Sequence, residues 1–359
     1  MQDGHIAQVA GSNDDKRNVV QASSTKFHRI LTTRSPALLL SLVMYQAHTL
    51  YLFTRSDFKT MIYPMTFFGL SAALSPVIFT PSHSPHASEV FSRAILVPTW
   101  IWLNLLPFCI ANQRHADAVK EDALNKPWRP IPAGRMTSKE AGVLVQCLYP
   151  LVWLLSIFLG GGTEAFQLIV QGIAYNDFGG GDANPFIRNA INAGGYLSFQ
   201  LGALSAATAT QSKFNLPTLL RFGIPEPASP SGSSVEFSAR GKIWFLLLAV
   251  LFFTTVHIQD LPDQDGDAKR QRRTFPLVFG DAPARWTLAA VMTVWSLATP
   301  WFWSLGWKSY LAPLGLGLFV VLRTLMFRDE KQDRLTFKIW NGWVIAVYLL
   351  PLVKSLSEA

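Results

Sequence analysis

The chain has 359 residues, of which 50% are hydrophobic and only 15% charged, against roughly 25% charged in an ordinary soluble domain, so a single water-soluble core is excluded and a polytopic helical membrane protein is expected. Its two cysteines, Cys109 and Cys147, both lie in apolar runs, which argues against a disulfide framework or a thiolate metal centre. A formal charge of +8 in so apolar a chain reads as basic loops facing an anionic leaflet rather than as a nucleic-acid surface.

Residues 1–35 are polar and mixed in charge, with no apolar run of signal-peptide type, and are expected to form a disordered tail. The stretch 36–53 is apolar but carries Gln46 and His48 just past its centre. With its lead-in to residue 58 it is expected to be an interfacial helix, with spanning as the alternative. Nine apolar segments follow, at 61–81, 92–111, 140–160, 163–177, 188–211, 241–259, 284–306, 309–327 and 337–353. They make 59–353 one all-α transmembrane domain, with 354–359 as a short tail. The segment 163–177 is short enough to be tilted or broken. The stretch 212–239, rich in Pro, Ser and Gly, reads as a flexible loop between two groups of spans.

Nine spans place the N-terminus and every second loop on one side, and that side holds 24 of the 31 Lys and Arg residues. By the positive-inside rule it is cytosolic. A multi-pass integral protein of an endomembrane such as the endoplasmic reticulum is the expected setting, with the bilayer as its partner and no nucleic acid.

Acidic residues number only 23, so clusters of them at the edges of apolar segments need explaining. The first follows the second segment and runs Asn112-Gln113-Arg114-His115-Ala116-Asp117-Ala118-Val119-Lys120-Glu121-Asp122-Ala123-Leu124-Asn125-Lys126-Pro127-Trp128-Arg129-Pro130. A helix continuing past Asn112 puts Gln113, Asp117 and Glu121 on one face, with Asp122 and Asn125 beside them. Pro127, Pro130 and Pro132 then end it and hold Lys126 and Arg129 near that face.

The second cluster follows the sixth segment, with Asp260, Asp263, Asp265 and Asp267 leading into Lys269, Arg270, Arg272 and Arg273. If it is helical, Asp263 and Asp267 stand one turn apart. Carboxylates without Cys or His partners favour Mg²⁺, which keeps several waters and usually bridges to a substrate phosphate. Neighbouring bases suit the remaining phosphate oxygens. The plain alternative is solvated, mutually paired loop charge, but both clusters directly follow a span on the same side. Together they read as a site for a diphosphate held through Mg²⁺. An EF-hand reading of Asp263, Asp265 and Asp267 lacks the twelfth-position Glu.

These motifs resemble the UbiA superfamily of intramembrane prenyltransferases. The run Asn125-Lys126-Pro127-Trp128-Arg129-Pro130-Ile131-Pro132-Ala133-Gly134 matches its N-x-P-x-R-P-I-P-x-G pattern. Asp263 to Asp267, ending in Arg272-Arg273-Thr274-Phe275-Pro276-Leu277, matches its D-x-x-x-D motif. The resemblance covers residues 59–353 and implies nine helices around an open central cavity, two Mg²⁺ ions bound by the two motifs, and ionisation of a prenyl diphosphate. Counted back from Asn125, Asp122 matches the last acid of the first motif, whereas the family's Asn falls on Arg114 and its middle Asp on Ala118. A shift of helical register brings Asn112 or Gln113 and Asp117 into those roles. The segment Tyr175-Asn176-Asp177-Phe178-Gly179-Gly180-Gly181 to Asn192 resembles a fungal branch that includes terpene cyclases acting on farnesyl or geranylgeranyl diphosphate.

The expected metal ligands are Asp122, Asp263 and Asp267, followed by Asn112, Asp117 and Glu121. Lys126, Arg129, Arg188 and Arg272 are expected on the phosphate. Asn189, Asn192, Gln200 and Gln259 are either functional or interhelical glue, and His257 either orders the second motif or bonds a neighbouring carbonyl. The expected activity is a Mg²⁺-dependent terpene cyclase. Prenyl transfer to an aromatic or other acceptor is the second reading. A transporter is the third, because the acids sit at one edge rather than at midplane.

Overall fold

In a bilayer every backbone polar group must find its partner within the chain, and a helix does so locally. The computed structural model describes residues 36–81, 84–208 and 236–359; the expected tail 1–35 and residues 212–235 of the expected loop lie outside them. The described residues are helical, with no strand beyond one isolated bridge between Phe79 and Phe237. The longer helices are α1 (Pro36–Thr54), α2 (Tyr63–Ala73), α3 (Leu96–Gln113), α4 (Ala116–Asn125), α5 (Ser138–Leu159) and α6 (Gly162–Asn176). They continue with α7 (Pro185–Thr208), α8 (Ala239–Thr255), α9 (Asp281–Phe302), α10 (Leu311–Met326), α11 (Glu330–Tyr348) and α12 (Leu350–Glu358).

Five stretches among the described residues are long and apolar enough to cross a membrane: α1, α5, Ala239–Lys269, Trp307–Met326 and Glu330–Glu358. The expectation of nine is not reached on length and apolarity alone, for physical reasons. α2 and α6 are only 11 and 15 residues long. α3, α7 and α9 have the length but carry polar side chains turned inward: Asn104, then Asn189 and Gln200, then Arg285, all buried. α1, expected at the interface, has the length and hydropathy of a span.

The chain divides into two compact units. One comprises residues up to Ser56 together with Cys109–Gln146, the other Asp57–Phe108 with Cys147–Ala359. Within the second unit α7 packs on α2, α6 and α8, while α9, α10 and α11 pack in sequence and α11 returns to α2. The composition of α7 makes it the hub. Its later half, Gly202-Ala203-Leu204-Ser205-Ala206-Ala207, is buried almost throughout, and small residues let neighbouring backbones approach. At Gly202 the requirement is absolute, because a Cβ there would overlap the ring of the fully buried Trp100.

The start of α9 is fixed by one side chain. Arg285, 1% exposed, donates to both oxygens of Asp281 (2.8 and 2.9 Å), to Asp333 Oδ1 and Oδ2 on α11 (2.8 and 2.7 Å) and to the Thr324 carbonyl of α10 (3.0 Å). One guanidinium thereby ties three helices together. Gln264, in the turn that carries the second motif, also donates to Asp281 Oδ1 at 2.9 Å. Burial pushes the Asp281 carboxyl upward, but hydrogen bonds from Arg285 and Gln264 outweigh it and hold the pKa below the ordinary value. Arg285→Met strands a buried Asp333 and is expected to cost about 3–5 kcal/mol, read as a lower thermal unfolding midpoint in detergent. The double variant with Asp333→Leu should recover most of that loss. A single variant that melts with the unmutated protein would show that the clamp does not hold these helices.

Candidate active site

In the first unit, α3 ends at Gln113 and the backbone of His115 is extended (φ −72°, ψ 142°) before α4 begins. The continuous helix expected past Asn112 is therefore not formed, and Gln113 does not stack over Asp117 and Glu121. Gln113 turns inward and donates to the Phe53 carbonyl at 2.8 Å. Asp117 is exposed and pairs with Lys120 at 3.1 Å. Asn112, Glu121 and Lys126 are half-buried.

Asp122 is buried, and both its oxygens accept from Arg129 Nη1, at 2.7 and 2.8 Å. The prolines stop α4 as expected, and the turn that follows returns Arg129 to Asp122. Arg135, which carried no sequence signal, docks this turn on α1 by donating to Thr49 Oγ1 and the Tyr45 carbonyl, both at 3.0 Å, with its guanidinium 4.0 Å over the Tyr45 ring. Of the residues expected in the first motif, the structure thus brings together Asp122 and Arg129.

In the second unit, α8 tightens after Thr255 into a 3₁₀ helix, Val256–Asp263, before a short α-helical turn, Gln264–Lys269. Asp260 and Asp267 are each 1% exposed, whereas Asp263 is half-buried and pairs with Arg334 at 3.3 Å. Arg188, near the start of α7 and itself buried, donates to Asp260 Oδ1 (2.8 Å), to the Gly181 carbonyl (3.0 Å) and to the Tyr175 hydroxyl. Gly181 can carry no side chain here, because a Cβ would lie 2.7 Å from the Tyr175 ring.

Arg272 donates to Asp182 Oδ1 at 2.7 Å and to Asp267 Oδ1 at 3.1 Å. Burial lowers the Arg272 pKa, but Tyr175, Asp267 and the bond to Asp182 more than reverse this, so the net shift is upward and the guanidinium stays charged. His257 bonds a carbonyl, that of Ala284 at 3.3 Å, and stacks on Phe275. Asp260, Asp182 and Tyr175 stand outside the ligand and phosphate sets expected from the sequence, and the structure brings them to Arg188 and Arg272. The local signal was the glycine run between Tyr175 and Asp182.

Among the described residues no group of three or more His, Cys, Asp or Glu side chains is assembled as a metal cage. A metal here must draw most of its coordination from water and substrate, as Mg²⁺ commonly does. The second motif fits that demand. Asp260 Oδ2 and Asp267 Oδ2 are buried without a hydrogen-bond partner, as is Arg188 Nε. Buried polar atoms are rarely left in this state. Two open carboxylate oxygens and one open guanidinium N–H are the complement of a hard cation carried by a phosphate.

Comparison with known proteins gives the family. The fumagillin beta-trans-bergamotene synthase of Aspergillus fumigatus is 28% identical over 310 residues, covering 86% of this chain and 93% of that protein. The diterpene cyclase of Hericium erinaceus is 28% identical over 302 residues, covering 80% and 82%. The solved structure of a UbiA homolog from Archaeoglobus fulgidus bound to GPP and Mg²⁺ has a TM-score of 0.57 at 12% identity, covering 86% of this chain and 99% of that one, and shows a shared fold. Residues 84–342, from before α3 to within α11, match the UbiA prenyltransferase family, and with these relatives the chain belongs to that family of membrane enzymes.

Proposed function

We propose that the chain is a Mg²⁺-dependent membrane terpene cyclase that ionises farnesyl or geranylgeranyl diphosphate and closes the resulting cation on its own chain. The observation that carries this reading is the buried pair Asp260 and Asp267, each gripped by an arginine on one oxygen and open on the other. The names of the two relatives, a synthase and a cyclase, support cyclisation. The reading includes nine spans with the motif loops on the cytosolic side of an endomembrane, supported by the 24-to-7 division of bases.

Asp260 and Asp267 would hold the metal, while Asp263 is paired with Arg334. Bound Mg²⁺ supplies Lewis-acid stabilisation of the departing diphosphate. Arg188 and Arg272 contact its oxygens and neutralise the charge that grows there as the allylic bond breaks, the kind of preorganised electrostatics that usually supplies the largest catalytic contribution.

The helices that hold Arg188 and Asp260 also hold aromatic faces. Tyr196 lies two turns along α7, about 12 Å from Arg188 at 1.5 Å per residue. It stacks on Phe252 of α8 at 4.0 Å, and both meet Trp340 edge-on, at 6.5 and 5.9 Å. A desolvated aromatic face stabilises a cation by about 0.5–2 kcal/mol, and the buried surround excludes the water that would quench it.

Asp260→Asn and Asp267→Asn are each expected to slow pyrophosphate release by a factor on the order of 100 or more, measured on purified membranes given farnesyl or geranylgeranyl diphosphate and Mg²⁺ without acceptor. Asp263→Asn should cost much less, and equal losses at Asp260 and Asp263 would sink the ranking. In the same assay mass spectrometry should find a cyclic hydrocarbon or alcohol. Product that forms only when a phenol is added, and carries the prenyl group on it, would replace cyclisation with acceptor prenylation.

A further inference from the structure

On the Asp122 carboxylate a single nitrogen, Arg129 Nη1, lies 2.7 Å from one oxygen and 2.8 Å from the other. That near-equidistant position is the one a cation chelated by both oxygens takes. The same turn fixes both partners, for the Lys126 N–H bonds the Asp122 carbonyl at 2.8 Å and the Arg129 N–H bonds the Lys126 carbonyl at 2.9 Å. No second carboxylate completes a pair with Asp122 along its face of α4. Ala118, one turn earlier, is buried and has no ligand atom. Asp117 faces water with Lys120, and Glu121 is rotated about 100° around the helix from Asp122. The second motif is built differently, because Arg188 and Arg272 engage only Oδ1 of Asp260 and Asp267 and leave Oδ2 open.

We propose that Arg129 stands in the place of a divalent cation on Asp122, and that cation uptake runs through Asp260 and Asp267 alone, one ion per chain. This departs from the two-ion arrangement implied by resemblance and rests on the metal-holding reading of the second motif. The physical ground is occupancy and charge. A guanidinium is charged at every working pH, so one seated on a buried carboxylate is present whatever the metal concentration. It also repels a dication from the lone pairs that Asp122 has left.

Equilibrium dialysis of the purified full-length chain in phosphatidylcholine nanodiscs against Mn²⁺ and inorganic pyrophosphate, with bound Mn²⁺ counted by mass spectrometry, tests the assignment. One Mn²⁺ per chain is expected, unchanged in number and affinity in Asp122→Asn and lost in the double variant Asp260→Asn with Asp267→Asn. Two Mn²⁺ per chain, or loss of an ion in Asp122→Asn, overturns the proposal and leaves the role of the second motif standing. No bound Mn²⁺ on the unmutated chain overturns the metal-holding reading of the second motif itself. The count on the unmutated chain decides even where a variant fails to fold.

Discussion

Arg188 and Asp260 are both withdrawn from water and meet at 2.8 Å, and the proposed chemistry of the second unit depends on that pair. Neither charge is tolerable there without the other, since an isolated buried ion costs several kcal/mol. The arginine comes from α7 and the aspartate from the 3₁₀ turn after α8, so the packing of α7 on α8 decides whether the pair forms. The pair also remains incomplete, with Arg188 Nε and Asp260 Oδ2 buried and open. In a low-dielectric interior a partly satisfied polar network is costly, and a ligand of matching charges that completes it gains accordingly. A phosphate oxygen on Nε and a hard cation on Oδ2 are such a match.

A second buried arginine in the same unit shows what completion looks like. Arg285 spends its guanidinium on Asp281, Asp333 and the Thr324 carbonyl, and none of its nitrogens is left over among the buried groups without partners. Both sites pair a buried guanidinium with aspartates on neighbouring elements. The difference between scaffold and site lies in the remainder: where every donor is used the cluster locks helices, and where donors and acceptors of both signs remain it waits for a ligand.

The same distinction sets what could be read from the sequence. Apolar runs and their length give the helices, and the spacing of acids, prolines and bases gives the two motifs, because these depend on local period. Asp122 with Arg129, and Asp267 with Arg272, were legible for that reason. The deeper burial of Asp260 than of Asp263 was not, since it depends on how the turn after α8 packs against α7 and not on a local spacing. The break at Arg114 and His115, which takes Gln113 off the face of Asp117 and Glu121, has no proline or glycine to announce it. Arg285 with Asp333, 48 residues apart, and Arg135 with Tyr45, 90 apart, are contacts of the tertiary fold. No local pattern encodes which of several buried arginines meets which acid.

The ruler formed by α7 and α8 bears on which reaction follows ionisation. Tyr196 lies eight residues after Arg188, and Phe252 eight residues before Asp260, opposite directions along the chain that meet in one stack at 4.0 Å. A prenyl group passed to an acceptor needs its positive charge stabilised only at the first carbon, beside the departing diphosphate. A cation that closes on its own chain moves its charge down the chain as each ring forms, away from the leaving group. Aromatic groups about 12 Å along α7 from the arginine would serve the second path and would be idle in the first. Under the proposed cyclisation, Tyr196, Phe252 and Trp340 are the aromatic groups nearest to where that displaced charge would travel.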